Sequence, residues 1–329
     1  MERGPIFIGG TDRSGKSLMR FMLSSHPNLA MTRRTNCWTL FYGQYGDLSR
    51  PDNFERCLAA MLKHKHIRIL KPDSDRIHQE FWQGEPTYAR LFALFHEHYA
   101  EREGKSRWGD QTEAIESRAD LIFAAYPTAK MIHLIRDPRD RYEAIKSPSR
   151  LKRGAGLATA EWLRSVRLAK RNQRHYPQRY KIVRYETMVS QPEQTLREVC
   201  AFLDEDYTPA MITLESIPRF QDKRGSEAGN PIGQSPFSTK FIGRFRQRLP
   251  TSEIAFMQTY AGRDMTAYGY ELEPILFSLR ERLLFYIITW PINLTRIAAG
   301  RAVEAVRFRR RSGARRHTPR VKQSSLAAE

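Results

Sequence analysis

Residues 10–17 read Gly-Thr-Asp-Arg-Ser-Gly-Lys-Ser, a glycine-bearing turn carrying a lysine, an arginine and two serines. Those residue types at that spacing hold an anion: backbone N–H groups, hydroxyls and a cation converge on one point. As Gly-x4-Gly-Lys-Ser the stretch is a complete nucleoside-triphosphate loop, from Gly10 through Gly15, Lys16 and Ser17. That reading predicts ATP or GTP chemistry with magnesium. A second candidate anion ligand is Arg136, in Arg136-Asp137-Pro138-Arg139-Asp140, because a guanidinium makes planar bidentate bonds to phosphate. Carboxylates for acid–base work fall at Asp110 and Glu113, although Asp-x-x-Glu is also a helix-capping pattern.

These groups must be positioned by strands and helices. Residues 5–10 form a short apolar run suited to a buried parallel strand, and Leu18, Met19, Phe21, Met22 and Leu23 then recur at helical spacing until His26-Pro27. A strand, a turn and a helix N-terminus are the context a phosphate loop requires. Further strands are expected at 67–70, 130–135 and 180–183, with helices near 52–64, 86–102, 115–126, 139–147 and 158–175. The alternation predicts a layered α/β fold, P-loop-type, with a central mainly parallel sheet flanked by helices. In such sheets ligands bind at the carboxyl ends of strands, where Arg136 would stand. His26 and His133 read as structural, one at a helix stop and one inside a strand.

The chain has 329 residues, 40% hydrophobic, enough for one large domain with an appendage. Residues 1–275 read as the catalytic domain and 276–329 as an amphipathic helix with a basic tail. Three widely spaced cysteines offer neither a metal pattern nor a disulfide framework, so a reducing, cytoplasmic setting is expected. Residues 1–30 contain no signal-peptide pattern, and no run approaches membrane-span length. The net charge of +19 suits a polyanionic ligand, nucleic acid, an anionic surface or a merely solvated basic surface without choosing among them, and no specific nucleic-acid partner is expected. Residues 301–329 hold nine Lys/Arg against two Glu, a net of +7. Arginines interspersed through the apolar 276–308 segment predict either a helix lying on an anionic membrane, at its inner face, or one packed on the domain or a second subunit.

Several segments, taken in order, resemble the sulfotransferase family that uses 3′-phosphoadenosine 5′-phosphosulfate (PAPS). They are Arg13-Ser14-Gly15, His26-Pro27-Asn28, Arg107-Trp108-Gly109-Asp110-Gln111-Thr112, Met131–Ile135 with Arg136-Asp137-Pro138, Val183-Arg184-Tyr185-Glu186, Ile242-Gly243-Arg244-Phe245 and Tyr268-Gly269-Tyr270-Glu271. The resemblance covers roughly residues 5–272. It implies that Arg13, Ser14, Gly15, Lys16 and Ser17 cradle the 5′-phosphosulfate, that Arg136 and Arg244 contact phosphate, and that no metal is needed. Arg13 and Lys16 would stabilise charge on the leaving oxygen.

Three departures from the family pattern stand out. Lys16 replaces a common threonine. Ala144 stands where a phosphate-binding serine is common, so Ser147 is expected to substitute. Arg33-Arg34 occupies the place of a glutamate base in the members that sulfate protein tyrosines. In one branch of the family a Lys-Thr-His element precedes the second strand by a similar distance, and Gln111-Thr112-Glu113 nearly overlies it. The resemblance thus implies a base at Glu113, with Asp110 second. A P-loop kinase remains the alternative, with Asp137 or Asp73 assisting Ser17 on magnesium, and so does a catalytically inactive anion- or lipid-binding relative. The acceptor is expected to be a glycan, glycolipid or small metabolite, held among residues 33–50, 71–90 and 221–240 with Trp38, Phe41, Tyr42, Tyr45, Phe81 and Trp82.

Overall fold

The computed structural model describes residues 3–145, 154–213 and 237–313, with side chains to residue 302. Five parallel strands form one sheet in the order β2-β3-β1-β4-β5: β1 Ile6–Gly10, β2 Leu29–Arg33, β3 Arg107–Gln111, β4 Lys130–Ile135 and β5 Tyr180–Arg184. Helices cover both faces, which is the expected three-layer fold. Alternation along β1 shows why: Phe7 enters the core on one face while Ile6 and Ile8 enter the core on the other. The second of these cores holds the apolar stripe of α1 (Lys16–Ser24).

Three expectations needed correction. Residues 67–70 are no strand; Lys65–Arg68 is a helical turn between α2 (Pro51–Lys63) and α3 (Ser74–Trp82), where Ile67 and Leu70 supply two apolar side chains to a helical insertion. β2 and β3 went unforeseen, and in β3 polar residues hide the strand pattern. Arg107, for example, is buried but donates to the carbonyl oxygens of Gly4 and Leu203 and to Glu205. Lastly, Leu279–Ala302 is one helix long and apolar enough to span a membrane by length and composition, with mean hydropathy 1.2 over its best window. The arginines were read as breaking that run, yet between Arg282 and Arg301 only Arg296 is charged.

The next elements are α4 (Tyr88–Arg102), α5 (Ala119–Ala125), α6 (Pro138–Ile145), α7 (Ala155–His175), α8 (Pro192–Leu203) and α9 (Thr251–Ala267). The chain ends in α10 (Leu279–Leu284), a wide π-type turn (Phe285–Thr289) and α11 (Trp290–Gly313). Pro291, which has no N–H to give a residue four back, accounts for the widened turn before it. Phe285 and Ile297 are buried against Tyr142 and Ile145 of α6, Ala155 of α7 and Phe256 of α9. Asn293 Oδ1 accepts the Gly156 N–H at 2.8 Å, and a Cβ at Gly156 would overlap the Asn293 backbone. The C-terminal helix therefore packs on the domain. Its opposite side leaves Leu279 86%, Leu283 60% and Ile287 63% exposed.

Candidate active site

The phosphate loop leaves β1 at Gly10, whose φ of +117° and contact with the Leu134 carbonyl both exclude a side chain. Gly15, at φ +98°, lies so close to Tyr185 that a Cβ would come within 2.6 Å of the ring. Arg13 takes a left-handed backbone at φ +62° and is exposed, as is Ser17 in the first turn of α1. Ser14 is buried, its hydroxyl donating to Thr11 O at 2.8 Å. Lys16 is buried too and folds back onto the loop, donating to Gly10 O and Thr11 O at 2.6 Å each. Burial lowers its pKa to about 8, against the opposing pull of Glu113, Glu116 and Asp12.

Two residues the sequence reading passed over brace this loop. Glu116 is buried beneath it, accepting the Gly10 N–H at 3.1 Å and the Ser165 hydroxyl at 2.9 Å. Burial raises its pKa, but His133, Lys16 and these backbone N–H bonds outweigh burial and leave it below the usual range. His133 completes the cluster through Ser165 and Tyr180, a structural role. Arg141, also buried, donates to Asp12 O at 3.1 Å and Ala158 O at 3.0 Å and pairs with Glu161 at 2.7 Å. Neither residue belongs to a contiguous motif. The sequence signal was only a carboxylate and an arginine inside helical segments next to the motifs.

Register places Arg136 beside the loop: Gly10 pairs with Leu134, so β4 ends where the loop begins. Arg136 is 7% exposed and donates to Arg13 O at 3.2 Å and Phe241 O at 2.8 Å, with its guanidinium 4.4 Å from the Tyr185 ring centroid. Its Nε is buried without a hydrogen-bond partner. The rest of the motif is scaffolding. Both Asp137 oxygens are held by Arg139, and Asp140 accepts the Gly243 N–H at 2.6 Å and the Phe245 N–H at 3.0 Å. Asp140 thereby pins the 241–245 segment against Arg136. Asp140→Ala is expected to lower stability by about 2–4 kcal/mol, since two inward-facing N–H groups lose their acceptor, measured by denaturant unfolding.

Arg244 lies at this segment, 3.5 Å from Glu143 on α6 and 5.5 Å from the Phe241 ring centroid. Ser147 falls outside the described residues. Asp110 is 1% exposed and accepts from the hydroxyls of Thr32, Thr35 and Thr112 at 2.6–2.9 Å. It ties β2, β3 and the following loops together and caps no helix. Glu113, by contrast, is half-exposed beyond β3, 3.4 Å from Arg34, and is the foremost charge pulling on Lys16. Of the acids suggested for magnesium, Asp137 is held by Arg139 and Asp73 caps α3 through the Arg76 N–H. Among the described residues no three His, Cys, Asp or Glu side chains are grouped as a metal site.

The suggested acceptor residues divide. Trp38 and Phe81 are core, 1% and 0% exposed, because their rings pack against Tyr88 and Phe92 in one case and Phe54 in the other. Phe41, Tyr42 and Tyr45 are partly buried against that core, and Trp82 is exposed. Most of 221–240 lies outside the described residues.

A Sulfotransferase family model matches residues 5–209. The chain is 24% identical over 294 residues to nodulation protein NoeE of Sinorhizobium fredii, covering 80% of this chain and 65% of that one. It is 23% identical over 220 residues to a protein-tyrosine sulfotransferase of Drosophila melanogaster, covering 64% and 40%. It therefore spans less than two thirds of each of these relatives. In fold it is similar to a sulfotransferase domain from the curacin biosynthetic pathway, with a TM-score of 0.53 and 17% identity over 83% of this chain and 99% of that domain. With a family model matched over more than half its length, the chain belongs to the sulfotransferase family.

Proposed function

We propose that the protein transfers a sulfuryl group from PAPS to a hydroxyl or amine of a glycan, glycolipid or small metabolite. Residues 1–275 form the catalytic unit and 276–329 an appended helix and tail. The observation that carries the donor assignment is Arg136: a buried arginine, its Nε without a partner, stands at the end of the strand next to the phosphate loop. That spacing suits a nucleotide bearing two separate phosphates, one at the loop and one at Arg136 and Arg244. PAPS would supply the activated sulfuryl group and a nucleotide leaving group.

The chain's own residues do the remainder. Backbone N–H groups of the loop, with Ser14, Gly15 and Ser17, hold the phosphosulfate at the N-terminus of α1. Glu113 takes the acceptor's proton while the acceptor oxygen or nitrogen bonds to sulfur. Lys16 and Arg13 stabilise the charge that collects on the bridging oxygen as its bond to sulfur breaks. Lys16 must release Gly10 O and Thr11 O to do so. The buried Glu116 and Arg141 keep the loop's shape when it does.

Adenosine 3′,5′-bisphosphate at about a hundredfold over its Kd should stabilise the protein by about 2.7 kcal/mol with no added metal, read as a rise in Tm. Arg136→Ala should reduce that rise. Stabilisation by ATP with magnesium and none by the bisphosphate would sink the assignment. The outer apolar side of α10 and α11, with the net +7 of residues 301–329, is proposed to seat on an anionic membrane in the cytoplasm, so that the acceptor is an amphiphile. Vesicle co-sedimentation of the full chain and of Leu283→Glu/Ile287→Glu tests that seat; equal binding would dismiss it.

A further inference from the structure

Beneath the phosphate loop runs a buried row of four polar side chains, each from a different element. Glu116 belongs to the 3₁₀ turn Ile115–Arg118, Ser165 to α7, His133 to β4 and Tyr180 to β5. None is more than 5% exposed. Glu116 Oε2 accepts the Gly10 N–H at 3.1 Å, and Oε1 lies 2.9 Å from the Ser165 hydroxyl. That hydroxyl is 3.1 Å from His133 Nε2, and His133 Nδ1 is 2.7 Å from the Tyr180 hydroxyl. A Cβ on Gly9 would stand 3.0 Å from Glu116 Oε2, so the bare glycine lets the carboxylate approach β1.

The row has a direction. Each hydroxyl carries one proton and a neutral imidazole one N–H, so the protons along it all point the same way. With Glu116 ionised, Ser165 donates to Glu116, His133 Nε2–H donates to Ser165, and Tyr180 donates to His133 Nδ1. With Glu116 protonated on Oε1, the order reverses. The neighbouring charge selects the first arrangement: Gly10 gives its N–H to Glu116 and its carbonyl oxygen to the Lys16 ammonium. Burial opposes ionisation of Glu116, but His133, its own backbone N–H, Lys16 and the Gly10 N–H outweigh it. Burial lowers the His133 pKa, in keeping with a neutral ring.

An ionised carboxylate in this place acts on Lys16 in return. The charges facing Lys16 are Glu113, Glu116 and Asp12, against Arg141 and the cost of burial. Glu113 has the largest pull, yet as the base it loses its negative charge on taking the acceptor's proton. Glu116 is sealed from the acceptor and keeps its charge throughout. We propose that Glu116 is a positioning residue of the transfer step: its carboxylate, fed by the Tyr180–His133–Ser165 row, keeps Lys16 an ammonium group while Glu113 becomes protonated. This role rests on the sulfuryl-transfer reading, but the charge relation beneath it is measurable without substrate.

The test uses the full-length protein and NMR of isotope-labelled lysine and histidine, with no ligand. The Lys16 signal is identified by its loss in Lys16→Met. Its titration midpoint should lie near pH 8 in the wild type and at lower pH in Glu116→Gln. Glutamine fits the same place: its carbonyl accepts the Gly10 N–H, its amide donates to Ser165, and the row runs backwards. His133 should therefore carry its proton on Nε2 in the wild type and on Nδ1 in the variant. Adenosine 3′,5′-bisphosphate should bind the variant about threefold or more weakly than the wild type at about pH 8, and within about twofold at about pH 6.5. In a Lys16→Met background Glu116→Gln should leave the pH profile of that affinity unchanged. An unmoved Lys16 midpoint, a Glu116→Gln effect on the profile that persists without Lys16, or a wild-type His133 protonated on Nδ1 overturns the proposal. The last needs no variant, so it decides even where Glu116→Gln fails to fold. A wild type that binds no bisphosphate, with both NMR results as expected, would sink the donor assignment instead.

Discussion

Glu113→Gln is expected to lower kcat by about 10²- to 10⁴-fold while the Tm rise given by adenosine 3′,5′-bisphosphate stays at the wild-type value. Of the three carboxylates that act on Lys16, the structure separates the abilities of the two glutamates. Glu116 is buried and holds Gly10 N–H and Ser165, so it has no path to an acceptor. Glu113 stands in the open beyond β3, paired loosely with Arg34 at 3.4 Å. Glutamine retains the shape and the contact with Arg34 but cannot take a proton. The split between turnover and nucleotide binding is thus the readout. Unchanged kcat would remove Glu113 from the mechanism.

Lys16→Met should lower kcat/KM by about 10²- to 10³-fold, the loss typical of removing one preorganised donor to a developing charge. It also carries a pH signature. Burial holds the Lys16 pKa near 8 in the folded protein, below the ordinary 10.5. Below about pH 8 both folded and unfolded chains carry the proton, and the folded protein bears the full burden of a buried charge. Between about pH 8 and 10.5 the unfolded chain binds more protons, so the Lys16 contribution makes stability rise with pH. A bound phosphosulfate or bisphosphate favours the charged amine, so bisphosphate affinity should be level below about pH 8 and decline above it. Lys16→Met should lose both dependences, as checked by denaturant unfolding and titration across pH 6.5–10. A wild-type affinity that is flat through pH 10 would place Lys16 away from the anion.

What was legible in the sequence is what is local. β1, the loop and α1 are contiguous, and β4 runs straight into Arg136, so strand, turn and helix signals coincide there. β3 was hidden because Arg107-Trp108-Gly109-Asp110-Gln111 carries two charges that only tertiary partners reconcile. Three threonine hydroxyls satisfy Asp110, one on β2 and one just after it. Glu116 and Arg141 escaped notice for the same reason. Their partners at Gly10 and Asp12 lie more than a hundred residues away in sequence, a distance no spacing rule addresses. Trp38 and Phe81 fell in segments expected to hold the acceptor, with core packing as the default alternative, and their burial places them in the core. The C-terminal helix was foreseen, but the length of its apolar stretch was underestimated, because its arginines lie mostly toward the ends.

The packing of Phe285 and Ile297 against Tyr142 and Ile145 has a consequence for biosynthesis. The helix that follows Arg136 emerges from the ribosome roughly 150 residues before Phe285 and Ile297 exist. At bacterial and eukaryotic elongation rates that is an interval of about 8–30 s. Until then Tyr142 and Ile145 have only part of their cover, from Ala155, Ala158, Phe245 and Phe256. A chain stopped before residue 285 would leave that surface open to chaperones and proteases, whatever the quality of its phosphate loop.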